Sequence, residues 1–394
     1  MAKTKIGING FGRIGRQVLR SLKQRHPDTI EVVAINDVGE TETNGHLLKF
    51  DSTYGRYPGT VECKNNSLKI DGVKIHTSSN RNPSEIKWDD FGVELVIECT
   101  GAFTDATKAA GHIEGGAKKV IISAPAKNED ITLVLGVNDN QYNPVTHHII
   151  SNASCTTNCV APMAKVINDT FGIESALMST IHAYTNDQNI LDQNHKDLRR
   201  ARAAANSIIP TTTGAAKAVT LVIPELVGKI DGMAYRVPVI TGSVTDLTVK
   251  LTNNASLDDV NNAYREASMD ENLHGILGYS DEPLVSVDYI GNSNSCTIDS
   301  LATSSVGQEF IKVVGWYDNE WGYSCRTADL ANLMAEKGSR EVEPSRDLPI
   351  ELSRTPVKQS NHKLAYNSGQ CVMMTQVCGA GSVSRSHFTL TPKK

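Results

Sequence analysis

The stretch Lys5-Ile6-Gly7-Ile8-Asn9-Gly10-Phe11-Gly12-Arg13-Ile14-Gly15 decides the fold. Residues 5–8 form a short β-rich run, and the pattern G-x-G-x-x-G follows at once on Gly10, Gly12 and Gly15. A helical period then begins, with Ile14, Val18, Leu19 and Leu22 on one face. A second β-rich run, residues 31–35, ends in Asn36-Asp37, an acid 22 positions beyond Gly15. Glycine-rich turns are common on their own. Between a strand and a helix, with an acid closing the next strand, this one predicts a dinucleotide-binding turn. Gly10 permits the tight turn, Gly12 lets the backbone approach a pyrophosphate, and Gly15 lets helix and strand pack closely. The helix start adds amide donors and the positive end of its dipole. Asp37 is placed to bond the ribose hydroxyls of an adenosine.

Further apolar runs follow at residues 95–97, 120–122, 131–137 and 148–150. Strands alternating with helices at this spacing predict an α/β fold, a Rossmann-type doubly wound parallel sheet over residues 1–151. Past Ser151 the texture changes. Cys155 opens a helical stretch that runs to Phe171 and closes at Gly172, and a strand-like run, 176–181, leads to His182. Residues 184–206 are polar, carry Lys196, Arg199, Arg200 and Arg202, and read as a long functional loop. Alternating runs at 243–251, 284–289 and 310–316 predict a largely antiparallel sheet covered by helices on one face. An α+β catalytic domain over residues 152–315 follows from this. One covering helix, 257–267, starts at the capping box Ser256/Asp259. Residues 316–337 are expected to return to the cofactor domain through a helix, 324–336, that stops at Gly338.

The chain has 394 residues, enough for two domains and a tail. Hydrophobic residues are 39% and charged residues 21%, which supplies real cores. With aromatics at 5% and a net charge of −5, neither a base-stacking platform nor a dedicated binder of nucleic acid or anionic membrane is expected. No apolar run approaches the roughly 18–20 residues of a membrane span, and the N-terminal residues lack the apolar stretch of a secretory signal. The eight cysteines show neither a disulfide framework nor a zinc-ligand spacing, so no metal is expected. A reducing, cytoplasmic location fits this usage. The last 57 residues, 338–394, are rich in Ser, Gly and Pro. They hold 8 Lys and Arg against 4 Asp and Glu, and read as a flexible tail of unknown role and partner.

Cys155 lies in Ser154-Cys155-Thr156-Thr157-Asn158, at a strand-to-helix junction where unpaired helix amides stabilise a thiolate and lower the thiol pKa. Cys159, one turn on, reads as a buried spectator. His182, at the end of the next strand, is placed to meet Cys155. Spacing alone leaves two readings open: a nucleophile with its base, or a core cysteine and a satisfied core histidine. Joined to a nicotinamide fold, a reactive cysteine suggests an aldehyde dehydrogenase working through a thioester. Arg200, the run Thr211-Thr212-Thr213-Gly214 and Arg236 add forked or polar donors suited to phosphate.

The segments INGFGRIGR (8–16), SNASCTTNC (151–159), HKDLRRARAAA (195–205), IPTTTGAAKAV (209–219) and WYDNEWGYS (316–324) closely resemble the phosphorylating glyceraldehyde-3-phosphate dehydrogenase family. The resemblance covers about residues 3–337. It implies attack of Cys155 on an aldehyde with His182 as base, hydride transfer to NAD, and cleavage of the thioester by inorganic phosphate to give 1,3-bisphosphoglycerate. Such a reaction serves glycolysis, gluconeogenesis or carbon fixation. The resemblance further implies cofactor contacts from Arg13, Ile14 and Asp37, with Arg81 near the adenosine. Ser123 and Asn319 would lie at the nicotinamide, Asn319 fixing its carboxamide. Thr185 and Arg236 would hold the C3 phosphate of glyceraldehyde 3-phosphate. Ser154, Thr156, Thr213 and Gly214 would serve inorganic phosphate, with Arg200 between the two anions. It also implies a homotetramer in which residues 184–206 lie near a neighbouring subunit's cofactor.

Three departures stand out. Gln193-Asn194 replaces the Leu-Pro common in NAD-strict relatives, and Val38-Gly39 after Asp37 resembles the NADP-accepting photosynthetic branch. Asn194 can donate to a 2′-phosphate that Asp37 repels, so NAD is favoured and NADP remains open. Thr241-Gly242-Ser243 stands where relatives often read Pro-Asn-Val, and no functional conclusion attaches to it. Some photosynthetic relatives close a tail over the cofactor site with a disulfide, and this tail has Cys371 and Cys378. Those tails are acidic and this one is basic, so redox control is not expected. The alternatives are an erythrose-4-phosphate dehydrogenase of the same family, or an added docking role carried by the tail.

Overall fold

The computed structural model describes residues 2–64 and 67–340. Readings of the tail beyond them, and of its Cys371/Cys378 pair, lie outside the described residues. The described residues cluster as one compact unit built on two large sheets. The first takes the order Ile131–Thr132, Ile149–Ser151, Lys119–Ile122, Leu95–Glu98, Thr4–Asn9, Ile30–Asn36, Val73–Ser78, Ser67–Ile70, Val61–Lys64. All ladders from Ile131–Thr132 to Val73–Ser78 are parallel, and the last two strands join as an antiparallel extension. The strand order reverses direction beside Thr4–Asn9, so its C-terminal end opens at the switch point where α/β sheets bind ligands. Of the run 131–137, only Ile131–Thr132 pairs. Beyond it Asn138 Oδ1 takes the Val134 amide and turns the chain away.

The second sheet runs Ile209–Thr212, Ile230–Val237, Ile173–Ala183, Ser243–Leu251, Phe310–Tyr317, Cys296–Asp299, Leu277–Ser280. Its ladders are antiparallel except two: Ile173–Ala183 with Ile230–Val237, and Leu277–Ser280 with Cys296–Asp299. Along Ser243–Leu251, residues alternate between buried and half-buried, as a sheet with one covered face requires. Val160, Met163, Ile167, Val219, Leu247 and Val313 meet in the core beneath the helices Cys155–Phe171 and Ala215–Val222. Helix Leu257–Met269 opens with the expected capping box, both of its hydrogen bonds being present.

Two local expectations fail. Residues 284–289 alternate like a strand, yet Ser286–Tyr289 is a 3₁₀ turn. Asp288 reaches back to the Val285 amide at 2.8 Å, and Val285 and Val287 point into solvent instead of under a sheet. The last helix does not stop at Gly338 but runs Trp321–Arg340. A helical glycine costs only about 1 kcal/mol relative to alanine, and that does not end a helix docked along its length. Ala328, Leu330, Ala331 and Met334 share the core of the first sheet with Ile6, Ile8, Val18 and Leu22. No helix among the described residues is long and apolar enough to cross a membrane.

Candidate active site

Helix Cys155–Phe171 begins where its sequence says it should. Ser154 is the N-cap, its Oγ accepting from the Thr157 amide at 3.0 Å. Just before it, Ala153 holds a left-handed φ of 53°, unusual for a residue with a Cβ. That bend is pinned by Ser151 Oγ, which accepts from the Ala153 amide at 3.0 Å, and by the Tyr323 hydroxyl, which donates to the Ala153 carbonyl at 3.0 Å. Cys155 thus stands half-exposed on the first helical turn. Its Sγ lies 3.4 Å from His182 Nε2. His182 Nδ1 sits 2.6 Å from the Ala183 carbonyl and 3.0 Å from Arg236 Nη1; with the ring proton on Nδ1, directed at the nearer carbonyl, Nε2 is the acceptor facing the thiol.

Burial governs the charge state of both groups. It pushes the Cys155 thiol up to about 11, against the Arg236 charge and the hydrogen bonds from Thr156 that pull it down. It pushes His182 down to about 3, and Arg236 acts in the same direction. The lowered thiol pKa expected from the helix terminus is therefore corrected: for the thiol alone, desolvation outweighs the amides. Moving the proton from Sγ to Nε2 creates opposite charges side by side, and their attraction offsets part of what burial costs each of them. Cys159 is fully buried against Met163 Sδ and the Gly315 carbonyl, as a spectator should be.

Arg236 pairs in register with His182 on the neighbouring parallel strand. Its Nη1 lies 3.3 Å from Thr185 Oγ1 and 3.2 Å from the Ala183 carbonyl, so the two residues expected to hold one phosphate are together beside the histidine. Arg200 is near enough to depress the His182 pKa. Its guanidinium is ion-paired with Asp187 and bonded to Thr211 Oγ1 at 3.1 Å, which sequence reasoning missed. Thr213 and Gly214 head helix Ala215–Val222, Thr213 Oγ1 accepting from the Ala215 amide at 3.2 Å. A Cβ on Gly214 would meet nothing within 4 Å, so its backbone is open to a ligand. The Thr156 hydroxyl lies 2.9 Å from the Tyr317 hydroxyl, and both the side chain and the backbone of Thr156 hydrogen-bond the thiol. Tyr317 also bonds Thr180 at 2.8 Å and sets its ring edge-on to His182 at 6.0 Å. Tyr317 and Tyr323 both lie in the segment WYDNEWGYS, which by itself assigns neither a role, because each acts across the fold.

The glycine turn has the cradle that a dinucleotide needs. Gly10 adopts φ 89°, and a Cβ there would come within 2.7 Å of the Thr100 amide. On Gly15 a Cβ would come within 2.1 Å of the Gly10 carbonyl, whereas on Gly12 it would meet nothing within 4 Å. That open space lies over the first turn of helix Arg13–Arg25, where the Arg13 and Ile14 amides have no intrahelical acceptor. Asp37 closes its strand with Oδ2 on the Phe11 amide at 2.6 Å and Oδ1 on the Gly39 amide at 2.7 Å. Each oxygen keeps a lone pair for a ribose hydroxyl. Arg81 is exposed on the loop after strand Val73–Ser78, which pairs with the strand leading into Asp37. Ser123 follows strand Lys119–Ile122, its Oγ donating to the Glu98 carbonyl at 2.8 Å. Asn319 is buried at the junction of the two sheets. The Arg13 side chain is spoken for: its guanidinium is clamped between Asp51 at 3.1 Å and Glu320 at 2.5 Å. Only its backbone is left to serve a cofactor.

Comparison with known proteins follows the same division. The family described as "Glyceraldehyde 3-phosphate dehydrogenase, NAD binding domain" matches residues 4–106, and "Glyceraldehyde 3-phosphate dehydrogenase, C-terminal domain" matches residues 154–319. The chain is 57% identical over 326 residues to glyceraldehyde-3-phosphate dehydrogenase of Streptomyces coelicolor, covering 83% of this chain and 97% of that one. It is 57% identical over 334 residues to the Geobacillus stearothermophilus enzyme, covering 85% and 99%. Against glyceraldehyde-3-phosphate dehydrogenase 1 of Bacillus subtilis the identity is 54% over 334 residues, covering 85% and 99%.

Proposed function

The chain belongs to the glyceraldehyde-3-phosphate dehydrogenase family and is an NAD-binding dehydrogenase, and on that footing we propose that it oxidises glyceraldehyde 3-phosphate with inorganic phosphate to 1,3-bisphosphoglycerate. The observation that carries this reading is Cys155 Sγ at 3.4 Å from His182 Nε2, beside Arg236 and Thr185. Cys155 attacks the aldehyde carbon while Nε2 takes the thiol proton and returns it to the carbonyl oxygen, giving a thiohemiacetal. Arg236 and Thr185 hold the C3 phosphate and so fix the reacting carbon over Sγ. NAD, held by the glycine turn, Asp37 and Asn319, supplies the hydride acceptor. His182 then removes the hydroxyl proton as the carbonyl re-forms, leaving a thioester on Cys155. Inorganic phosphate, bound near Ser154, Thr213 and Gly214, cleaves it to the acyl phosphate and frees the thiol.

The test is steady-state kinetics on purified protein, with glyceraldehyde 3-phosphate and erythrose 4-phosphate compared with and without phosphate. A higher kcat/KM for the three-carbon aldehyde, dependent on phosphate, is expected. Preference for the four-carbon aldehyde would replace this reading.

The proposal extends to self-association as a homotetramer. Ile190, Leu191, Leu198 and Ile208 on the long loop are each more than two-thirds exposed, and Leu177 and Phe310 leave apolar surface on the outer face of the second sheet. If the loop of a neighbouring subunit covers the adenosine, Asn194 and Asp37 together set cofactor choice. Asp37→Ala with Asn194→Ser should raise the NADP-to-NAD ratio of kcat/KM by roughly tenfold or more, by relieving repulsion of a 2′-phosphate. NAD kcat/KM should fall as well, because Asp37 also holds the Phe11 amide. An unchanged ratio would place specificity elsewhere.

A further inference from the structure

The sequence Thr241-Gly242-Ser243 has an unexpected place in the site. Gly242 takes φ 86°, and a Cβ there would lie 2.4 Å from the Ser286 carbonyl, so the bend is built against the turn Ser286–Tyr289. The bend delivers two hydroxyls to the residues after strand Phe310–Tyr317. Ser243 is fully buried and pairs in register with Tyr317. Its Oγ accepts from the Ala183 amide at 3.1 Å and lies 2.7 Å from Asn319 Oδ1. Thr241 Oγ1 lies 2.8 Å from Asp318 Oδ1 and 3.2 Å from Asn319 Oδ1.

Counting protons fixes the arrangement. The Ala183 amide occupies a lone pair of Ser243 Oγ, so the Ser243 hydroxyl proton is free to be donated, and Asn319 is the acceptor in reach. The nearer acceptor for the Thr241 proton is Asp318. Asn319 must therefore turn its carbonyl oxygen toward Ser243, and its NH₂ is the end left over. Among the described residues the side-chain hydrogen bonds of Asn319 all fall on Oδ1, and Nδ2 is not among the fully buried unpaired atoms, so it is left open to a ligand. With the amide turned the other way, Nδ2 and the Ser243 hydroxyl would both be donors and one would go unpaired in a buried site.

We propose that Ser243 is a positioning residue: its hydroxyl locks the Asn319 side chain so that two N–H donors, rather than a carbonyl, face the nicotinamide carboxamide. The inference rests on the reading that Asn319 meets that group. Ser243 ties the lock to the Ala183 amide, next to His182. One hydroxyl thus references the nicotinamide ring to the strand that carries the base. Thr241 secures the other side indirectly, through Asp318, whose Oδ1 also caps the last helix at the Glu320 and Trp321 amides, both at 3.0 Å.

Affinity for two ligands separates positioning from mere structural support. ADP-ribose has everything NAD has on the adenosine and pyrophosphate side and lacks the nicotinamide. Calorimetric titration of Ser243→Ala should show NAD binding weakened by about 5- to 20-fold, the usual worth of a buried hydrogen bond. ADP-ribose binding should stay within twofold of the parent, which also reports that the cofactor domain is folded. Asn319→Ala should show the same split. Equal weakening of both ligands in Ser243→Ala, or no weakening of either, overturns the lock. If Asn319→Ala itself leaves the NAD-to-ADP-ribose ratio unchanged, the placement of Asn319 at the nicotinamide fails, and the lock fails with it.

Discussion

Cys155→Ser should lower dehydrogenase turnover by roughly 10⁴-fold or more, while Cys159→Ser should keep most of it. The two sulfurs lie one helical turn apart and differ in every respect that matters to chemistry. Cys155 is on the first turn, half-exposed, 3.4 Å from an imidazole nitrogen that has a free lone pair. A serine hydroxyl there offers His182 a far less acidic proton, and its oxygen does not become a nucleophile near neutral pH. Cys159 lies against Met163, the Gly315 carbonyl and Cys296 in the core of the second sheet. A hydroxyl at that position costs about 1–3 kcal/mol of stability, which a thermal melt reads as a lower Tm without a matching loss of kcat. Equal loss of turnover in both variants, each shown to be folded, would remove Cys155 as the sole nucleophile.

The parts legible in the sequence are those whose cause is local. The glycine turn shows in the spacing alone, because only a residue without Cβ tolerates the Gly10 conformation or the Gly15 approach. Helix Cys155–Phe171 was bounded to the residue, since Ser154 caps one end and Gly172, at φ 72°, releases the other. The proximity of Cys155 and His182 joins the end of a first-sheet strand to the end of a second-sheet strand, and spacing alone leaves that pairing open. What escaped depends on partners distant in sequence. The motif around Arg13 does not reveal that its guanidinium is held by Asp51 and Glu320. Arg200 reads as a free cation until Asp187 arrives from 13 residues away. Residues 284–289 have strand alternation with no neighbouring strand to pair with, and Asp288 settles the backbone into a turn instead. The thiol pKa erred for the same reason. A helix terminus is visible in sequence, whereas the burial that outweighs it is not.

His182→Asn isolates the step on which that burial bears. The imidazole is held low, to about 3, so it is neutral at physiological pH with Nε2 ready to accept. Burial holds the thiol high, to about 11, against the pull of Arg236 and Thr156. With His182 present the proton has a receiver at 3.4 Å, and the two charges formed stabilise each other. Asparagine removes the receiver and leaves a side chain that cannot take a proton. Turnover should fall by roughly 10²–10⁴-fold, the range for loss of a general acid–base group. Alkylation of Cys155 should slow near pH 7, because no base remains to share the thiol proton. NAD affinity, read by titration, should stay within about twofold, since His182 lies on the second sheet and the glycine turn on the first. Superimposable alkylation profiles for the two proteins would mean that the imidazole does not share the thiol proton, and the base would have to be sought elsewhere in the site.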